Sequence, residues 1–128
     1  MSVEFKNRAI VATVPFSKET KYDVGNNRAS AQFNGRGAIS RYAVMNKFKV
    51  FRNYYATYSV DGTPLGWGTE KTVTMLGRKQ VTEFQTEKAT FKIIQFLDGS
   101  KNAVYTRVEV TAHTDLKFLA AVNFDLDF

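Results

Sequence analysis

The sequence predicts an all-β fold, with room for one or two short helices, built as a small antiparallel barrel or sandwich of about seven to eight strands. Three observations lead there. Apolar residues recur at every second position through much of the chain, as in Val122, Phe124, Leu126 and Phe128, and two is the period of a strand. Stretches with the helical period of 3.6 are scarce. Turn-forming clusters such as Asp61-Gly62 and Asp98-Gly99-Ser100-Lys101 break the alternation at short intervals, the spacing expected of an all-β domain.

Each element follows from its own residues. Ile10, Ala12, Val14 and Phe16 alternate with Val11, Thr13 and Pro15 and give a first strand. Val3 and Phe5 lie on the opposite parity, so a bulge or break is expected at Lys6-Asn7-Arg8. Gly25-Asn26-Asn27 turns the chain, and "FNGRGAIS", with glycines at 35 and 37, is a second flexible connection. "AISRYAVMNKF" is the best candidate for a short helix, with Ser40 as its N-cap. Its Ile39, Tyr42, Val44 and Phe48 nevertheless make no clean helical stripe. A long strand is expected from Lys47 to Val60, ended by Asp61-Gly62, a hairpin dipeptide.

The second half reads as hairpins. "EKTVTML" and "QVTEFQT" flank Gly77-Arg78-Lys79, and "TFKIIQFL" and "NAVYTRVEVTA" flank Asp98 to Lys101. "HTDLK" turns once more into a final strand, "LAAVNFDLDF". No internal repeat, low-complexity segment or linker divides the chain, so residues 1–128 are expected to form one domain.

Composition narrows the class. A hydrophobic fraction of 44% is globular, not disordered. No apolar run approaches the roughly 18 residues of a membrane span. The start "MSVEFKNRAIVATV" lacks the layout of a signal peptide, which makes a cytoplasmic, intracellular protein the expectation. There is no cysteine, so disulfides and thiolate metal sites are excluded.

Charge is unevenly placed. The net charge is +6. Met1–Pro64 holds ten Lys/Arg against four Asp/Glu, and Leu65–Phe128 holds eight against eight, so the whole excess (10 − 4 = 6) lies in the first half. Within it, Val24–Val60 carries Arg28, Arg36, Arg41, Lys47, Lys49 and Arg52 with no acid. A stretch of one sign attracts polyanions, unless acids from elsewhere in the chain fold beside it.

The densest part of that stretch is "KFKVFRNYYATYSV". On a regular strand its even face, Phe48, Val50, Arg52, Tyr54, Ala56, Tyr58 and Val60, is the apolar one and belongs to the core. The odd face is polar apart from Phe51 and Tyr55, which would stand on the solvent side beside Lys47 and Lys49. Rings at i and i+4 lie roughly 13 Å apart. They could stack on two separated bases while cations meet the phosphates; the competing reading is that a second sheet or another subunit covers them. The Arg28–Arg36 loop composition suits phosphate or base contact, and Trp67, between two glycines, suits either stacking or a barrel plug.

Catalytic groups are sparse. His113 is the only histidine, so no paired-imidazole metal site or acid–base pair exists. Asp125 and Asp127 fall on one strand face, where two carboxylates usually face water. "LGRKQ" lacks the spacing of a phosphate-binding loop. No cofactor or metal is implied, and the chain reads as non-enzymatic.

The carboxyl-terminal "NFDLDF" resembles the tip of single-stranded-DNA-binding protein tails, which in that family recruits replication and repair partners. The resemblance covers about six residues and lacks the family's long linker, and the alternation from Val122 to Phe128 suits an ordered strand. The expectation is a non-enzymatic module for nucleic acid, single-stranded more than duplex. Its candidate contacts are Arg28, Arg36, Arg41, Lys47, Lys49, Phe51, Arg52 and Tyr55. A structural or assembly protein, such as a viral shell or decoration component acting as a homo-oligomer, is the first alternative. A small inhibitor or adaptor for another protein is the second.

Overall fold

Asn7 and Arg8 both take positive φ, 52° and 66°, the conformation of the tight hairpin turns that match strand twist. The chain therefore folds back, and β1 (Ser2–Lys6) pairs with β2 (Ala9–Pro15), Phe5 opposite Ile10 and Val3 opposite Ala12. The parity break expected at Lys6-Asn7-Arg8 is this turn. The computed structural model describes residues 1–44, 48–64 and 69–126, and at 48, 49, 51–53 and 124–126 the backbone alone.

β2 continues into a six-stranded antiparallel sheet with β8 (Glu70–Leu76), β9 (Lys79–Gln85), β10 (Ala89–Leu97) and β11 (Val104–Ala112), in the order β1-β2-β8-β9-β10-β11. A second antiparallel sheet holds β3 (Lys21–Gly25), β4 (Ala29–Asn34), β5 (Ile39–Val44), β6 (Phe48–Val60) and β12 (Phe118–Leu126), in the order β12-β6-β5-β4-β3. The short β7 (Thr63–Pro64) pairs with the end of β6. The protein is an all-β sandwich with no helix among the described residues.

Twelve strands form among the described residues, more than the seven or eight expected. Those beyond the expected number come largely from the segment before β6. There β4 buries Ala29, Ala31 and Phe33, at 0%, 1% and 0% exposure, and two of its three core positions are alanines, which give little hydrophobic signal.

The helix expected over "AISRYAVMNKF" is a correction. Residues 39–44 are strand β5, and 45–47 lie outside the described residues. Phe33 pairs with Ile39 while Gln32 pairs with Arg41, so Ser40 is an extra, bulged residue. The bulge turns both Ile39 and Tyr42 toward the core cluster. Their three-residue spacing imitates a helical period.

The strands of the two sheets cross. The beginning of β10 (Ala89, Phe91, Ile93) packs with Tyr58 and Val60 of β6, whereas its end, Leu97, packs with Val24, Ala31, Phe33 and Ile39 of β3, β4 and β5. Rings fill the first region: Phe84 stacks on Phe91 at 5.0 Å and meets Phe16 edge-on at 4.7 Å. Because the sheets cross, they do not fully cover each other. β1 is exposed along its whole length, with Val3 66% and Phe5 77% exposed on the face that continues Ala12 and Val14.

Candidate functional site

A polar layer inside the sandwich fixes the loop between β4 and β5. Gln80 and Gln95, both 0% exposed, stand on the inner face of β9 and β10. The Gln80 side-chain amide donates to the Asn34 carbonyl at 3.0 Å, and that of Gln95 donates to the Gly37 carbonyl at 3.1 Å. The loop also closes on itself, since Arg36 N–H donates to Asn34 Oδ1 at 2.8 Å and Asn34 N–H to the Ala38 carbonyl at 2.9 Å. Gly35 is packed so closely that a Cβ would collide with Thr20 Oγ1 and stand 3.0 Å from Val73, and Gly37 has a φ of 83°. The segment from Arg28 to Arg36, read from composition as a contact loop, is for the most part strand β4 (Ala29–Asn34), and the connection that follows it is held by these contacts.

This loop lies beside a stretch of β6 that has no second ladder partner among the described residues. β5 pairs with β6 up to Ile39 opposite Tyr54, and β7 resumes at Pro64 opposite Ser59. Between them, the edge of β6 from Tyr55 to Tyr58 borders an opening of about 280 Å³. Phe16, Asn34, Ala38 and Tyr58 form its inner part, while Arg36, Glu19, Ser40, Tyr55 and Thr57 form its rim. Tyr58 is 8% exposed, and its hydroxyl has no hydrogen-bond partner among the described residues. Burial, and secondarily Tyr54, pushes that hydroxyl up to about 12, so it carries its proton throughout the physiological range.

A buried cation lies against Phe16, one of the residues that line the opening. Lys71 is 1% exposed, and its ammonium donates to the Lys18 carbonyl and stands 5.5 Å from the Phe16 ring centre. Burial first, and then the Arg36 charge, lower its pKa from 10.5 to about 8, with Glu19 opposing.

The sequence candidates are distributed unevenly around this feature. Arg36 and Tyr55 share the opening, and Tyr55 is 42% exposed on the solvent side. Arg41 is exposed on β5 and faces Asp23 of β3 at 3.8 Å. Arg28 sits in the β3–β4 turn, the far end of β4 from Arg36, about 20 Å away for a six-residue strand. Asn26 ties that turn to the β10–β11 turn by donating to the carbonyls of Asp98 and Lys101, at 2.7 and 3.1 Å.

Lys49, Phe51 and Arg52 belong to β6, described there by backbone alone, and Lys47 and Trp67 lie outside the described residues. The expected alternation holds from Tyr54 to Val60. The ladder with β12 then shifts register, Asn53 opposite Asp125 but Phe51 opposite Leu126. A simple odd–even count therefore does not carry from Tyr55 through to Phe51.

The outer face of the first sheet holds rings that the sequence reading passed over. Phe96 and Tyr105 pair across β10 and β11, stack at 4.8 Å, and are 36% and 43% exposed. Lys79 is the ladder neighbour of Phe96. The signal was available in the hairpin register about Asp98–Lys101. Charges elsewhere on this face are matched, with Lys92 at 3.7 Å from Glu83 and Arg107 at 3.1 Å from Glu109.

His113 is exposed, with Nε2 3.1 Å from Thr90 Oγ1. No three His, Asp and Glu side chains gather as a metal site among the described residues. Asp127, half of the expected carboxylate pair, lies outside them. Among the described residues no helix is long and apolar enough to cross a membrane. Comparison with known proteins gives no match to a family model, a curated protein or a solved structure.

Proposed function

We propose that the chain is a non-enzymatic nucleic-acid-binding module, taking single-stranded DNA or RNA on the outer face of the second sheet. The observation that supports this reading best is the placement of the acid-free segment. Val24–Val60 supplies β4, β5 and β6, three adjacent strands of one sheet. Their outer side carries the exposed Tyr55 ring at the rim of an opening that also holds Arg36. Of the acids near this segment, Asp23 answers Arg41 across a solvent-exposed 3.8 Å contact, which is weak, and Glu19 stands on the same rim as Arg36. A base stacks on Tyr55, and Arg36 and Arg41 meet its flanking phosphates.

Titration of a fluorescent single-stranded oligonucleotide at several salt concentrations tests this. Roughly 0.7 counterions are released per neutralised phosphate, so four to six engaged cations give a log–log slope of about −3 to −4. Tyr55→Ala should weaken affinity by about 1–3 kcal/mol and leave the slope and the melting temperature nearly unchanged. Retained affinity with a slope near zero refutes the reading.

One observation favours a second reading, a self-assembling structural protein. β1 pairs only with β2 among the described strands, and its apolar flank of Val3 and Phe5 is uncovered. An open backbone edge with an apolar flank is a template for strand addition. The strand that suits it is one from a second copy, because β12 ends the other sheet with Leu119 63% and Val122 49% exposed.

A further inference from the structure

We propose that one end of the first sheet is a second nucleic-acid contact, where phosphates of a single strand meet Arg8, Arg78, Lys79 and Lys101 and a base stacks on Tyr105. This rests on the nucleic-acid reading above and gives the strand a second surface, apart from the one around Tyr55. Antiparallel pairing puts three turns at this end: Asn7-Arg8 between β1 and β2, Gly77-Arg78 between β8 and β9, and residues 98–103 between β10 and β11. In the order β1-β2-β8-β9-β10-β11, each turn stands two strands from the next. At about 4.8 Å per strand that is roughly 10 Å, and the three turns span about 20 Å. The β3–β4 turn region is tied to the same end, since Tyr22 donates to the Gly77 carbonyl and Asn26 to those of Asp98 and Lys101.

These turns gather charge of one sign. Lys6, Arg8, Arg28, Arg78, Lys79 and Lys101 are exposed here, and none forms a salt bridge among the described residues. Arg78, Lys79 and Lys101 come from the half of the chain whose charges balance overall, so only folding brings the six together. Asp98 is the acid of these turns, and its carboxylate faces its own turn, accepting from the N–H groups of Ser100 and Lys101 at 2.9 and 3.0 Å. Asp23, on β3, faces Arg41. Glu70 and Glu87 stand at the opposite end of the sheet, which leaves this end positive and attractive to polyanions. Rings follow the same edge. The last ladder row before the turns is Leu76, Lys79, Phe96 and Tyr105, and its three apolar members are exposed. Phe96 stacks on Tyr105 at 4.8 Å, and β11 is the last strand of the sheet among the described residues, so no neighbouring strand covers the far side of Tyr105. A base continues that stack while the turns hold its phosphates. Only a single strand has base faces free to do so.

The test titrates an oligo-dT of about 16 nucleotides, and a duplex of the same length, at several salt concentrations. The proteins are the wild type, Arg78→Glu with Lys79→Glu, Arg8→Glu with Lys101→Glu, Tyr105→Ala and Tyr55→Ala, each checked by its melting curve. Each charge-reversed pair lies on exposed turn positions and should weaken single-strand binding at least tenfold. Its log–log salt slope should fall by about 1.4, from two phosphates at roughly 0.7 each. Tyr105→Ala should weaken the single strand about tenfold, leave its slope unchanged and leave the duplex unaffected. Full affinity in the turn and Tyr105 variants, with Tyr55→Ala weakened, overturns this contact while the Tyr55 face stands. Charge-reversed pairs that weaken duplex and single strand alike, with Tyr105→Ala silent, overturn the stack. Failure of the wild type to bind any oligonucleotide overturns both readings.

Discussion

Replacing Lys71 by Met should make the protein more stable at neutral pH, and the gain should vanish as pH rises. Lys71 is 1% exposed, and its ammonium has one hydrogen bond, to the Lys18 carbonyl, among the described contacts. Burial and the Arg36 charge lower its pKa from 10.5 to about 8. Between those values the unfolded chain binds more protons than the folded one, so stability rises with pH across that window. Below pH 8 the full cost is present. The difference, 10.5 − 8, is about 2.5 units, and at about 1.36 kcal/mol per unit the buried charge costs ~3 kcal/mol at pH 7.

Met keeps the length of the side chain and removes the charge, but orphans the Lys18 carbonyl at a cost of about 1 kcal/mol. The net expectation is a gain of ~2 kcal/mol at pH 7, falling to zero or below by pH 10. Urea unfolding of both proteins at pH 7, 8.5 and 10 measures it, and subtraction cancels the other lysines and the tyrosines. A difference independent of pH, or a Met variant less stable at pH 7, refutes the account of Lys71 as a buried, destabilised cation.

Asp61 offers the opposite sign. Its carboxylate takes hydrogen bonds from Lys88 Nζ and Lys117 N–H, at 2.7 and 2.9 Å, and these hold it below its ordinary 3.8. Its contribution is therefore present above pH 3.8 and lost as pH falls through the folded value. Asp61→Asn should be less stable than wild type at pH 7, and the two acid-melting curves should converge on acidification; parallel curves contradict this. For β1, sedimentation of the wild type should show more than one chain, and Val3→Glu with Phe5→Lys should reduce it to one without lowering the melting temperature. A wild type that sediments as one chain excludes assembly through this edge.

Alternation made the hairpins of the second half legible, because β9 and β10 bury every second residue, β8 does so at Lys71 and Val73, and the turns carry Gly77 and Asp98-Gly99. Two kinds of element escaped. β4 is hard to see because its buried face is Ala29, Ala31 and Phe33. β5 is misread because the bulge at Ser40 converts a two-residue period into a three-residue one. The site was legible in part for the same reason. Charge counting found the acid-free segment, and parity put Tyr55 outside and Tyr58 inside, as the backbone from 54 to 60 is regular. Pairing that stops and resumes along one strand edge leaves no mark in composition, and so the opening went unseen. Lys71 went unseen because a lysine at a core position contradicts the pattern used to find cores.

The buried glutamines hold the chain before β5 in place. A strand ordinarily extends along its neighbour where it can, since each added pair satisfies two backbone groups. Here the chain before β5 is committed elsewhere. Gln95 donates to the Gly37 carbonyl and Gln80 to the Asn34 carbonyl from the opposite sheet, so moving residues 34–38 outward to lengthen β5 would strand two fully buried amides. Each buried group left unpaired costs about 1–3 kcal/mol, more than the ~1 kcal/mol an added ladder hydrogen bond contributes. The bulge at Ser40 and the close packing of Gly35 against Thr20 and Val73 fit the same constraint. The arginine at the rim is thereby carried on a backbone held from inside the core, and Tyr55 on a strand paired on its other edge with β12. On the reading proposed above, a strand bound there would lose its own freedom and little of the protein's, because both groups stand on backbone that is held by these contacts.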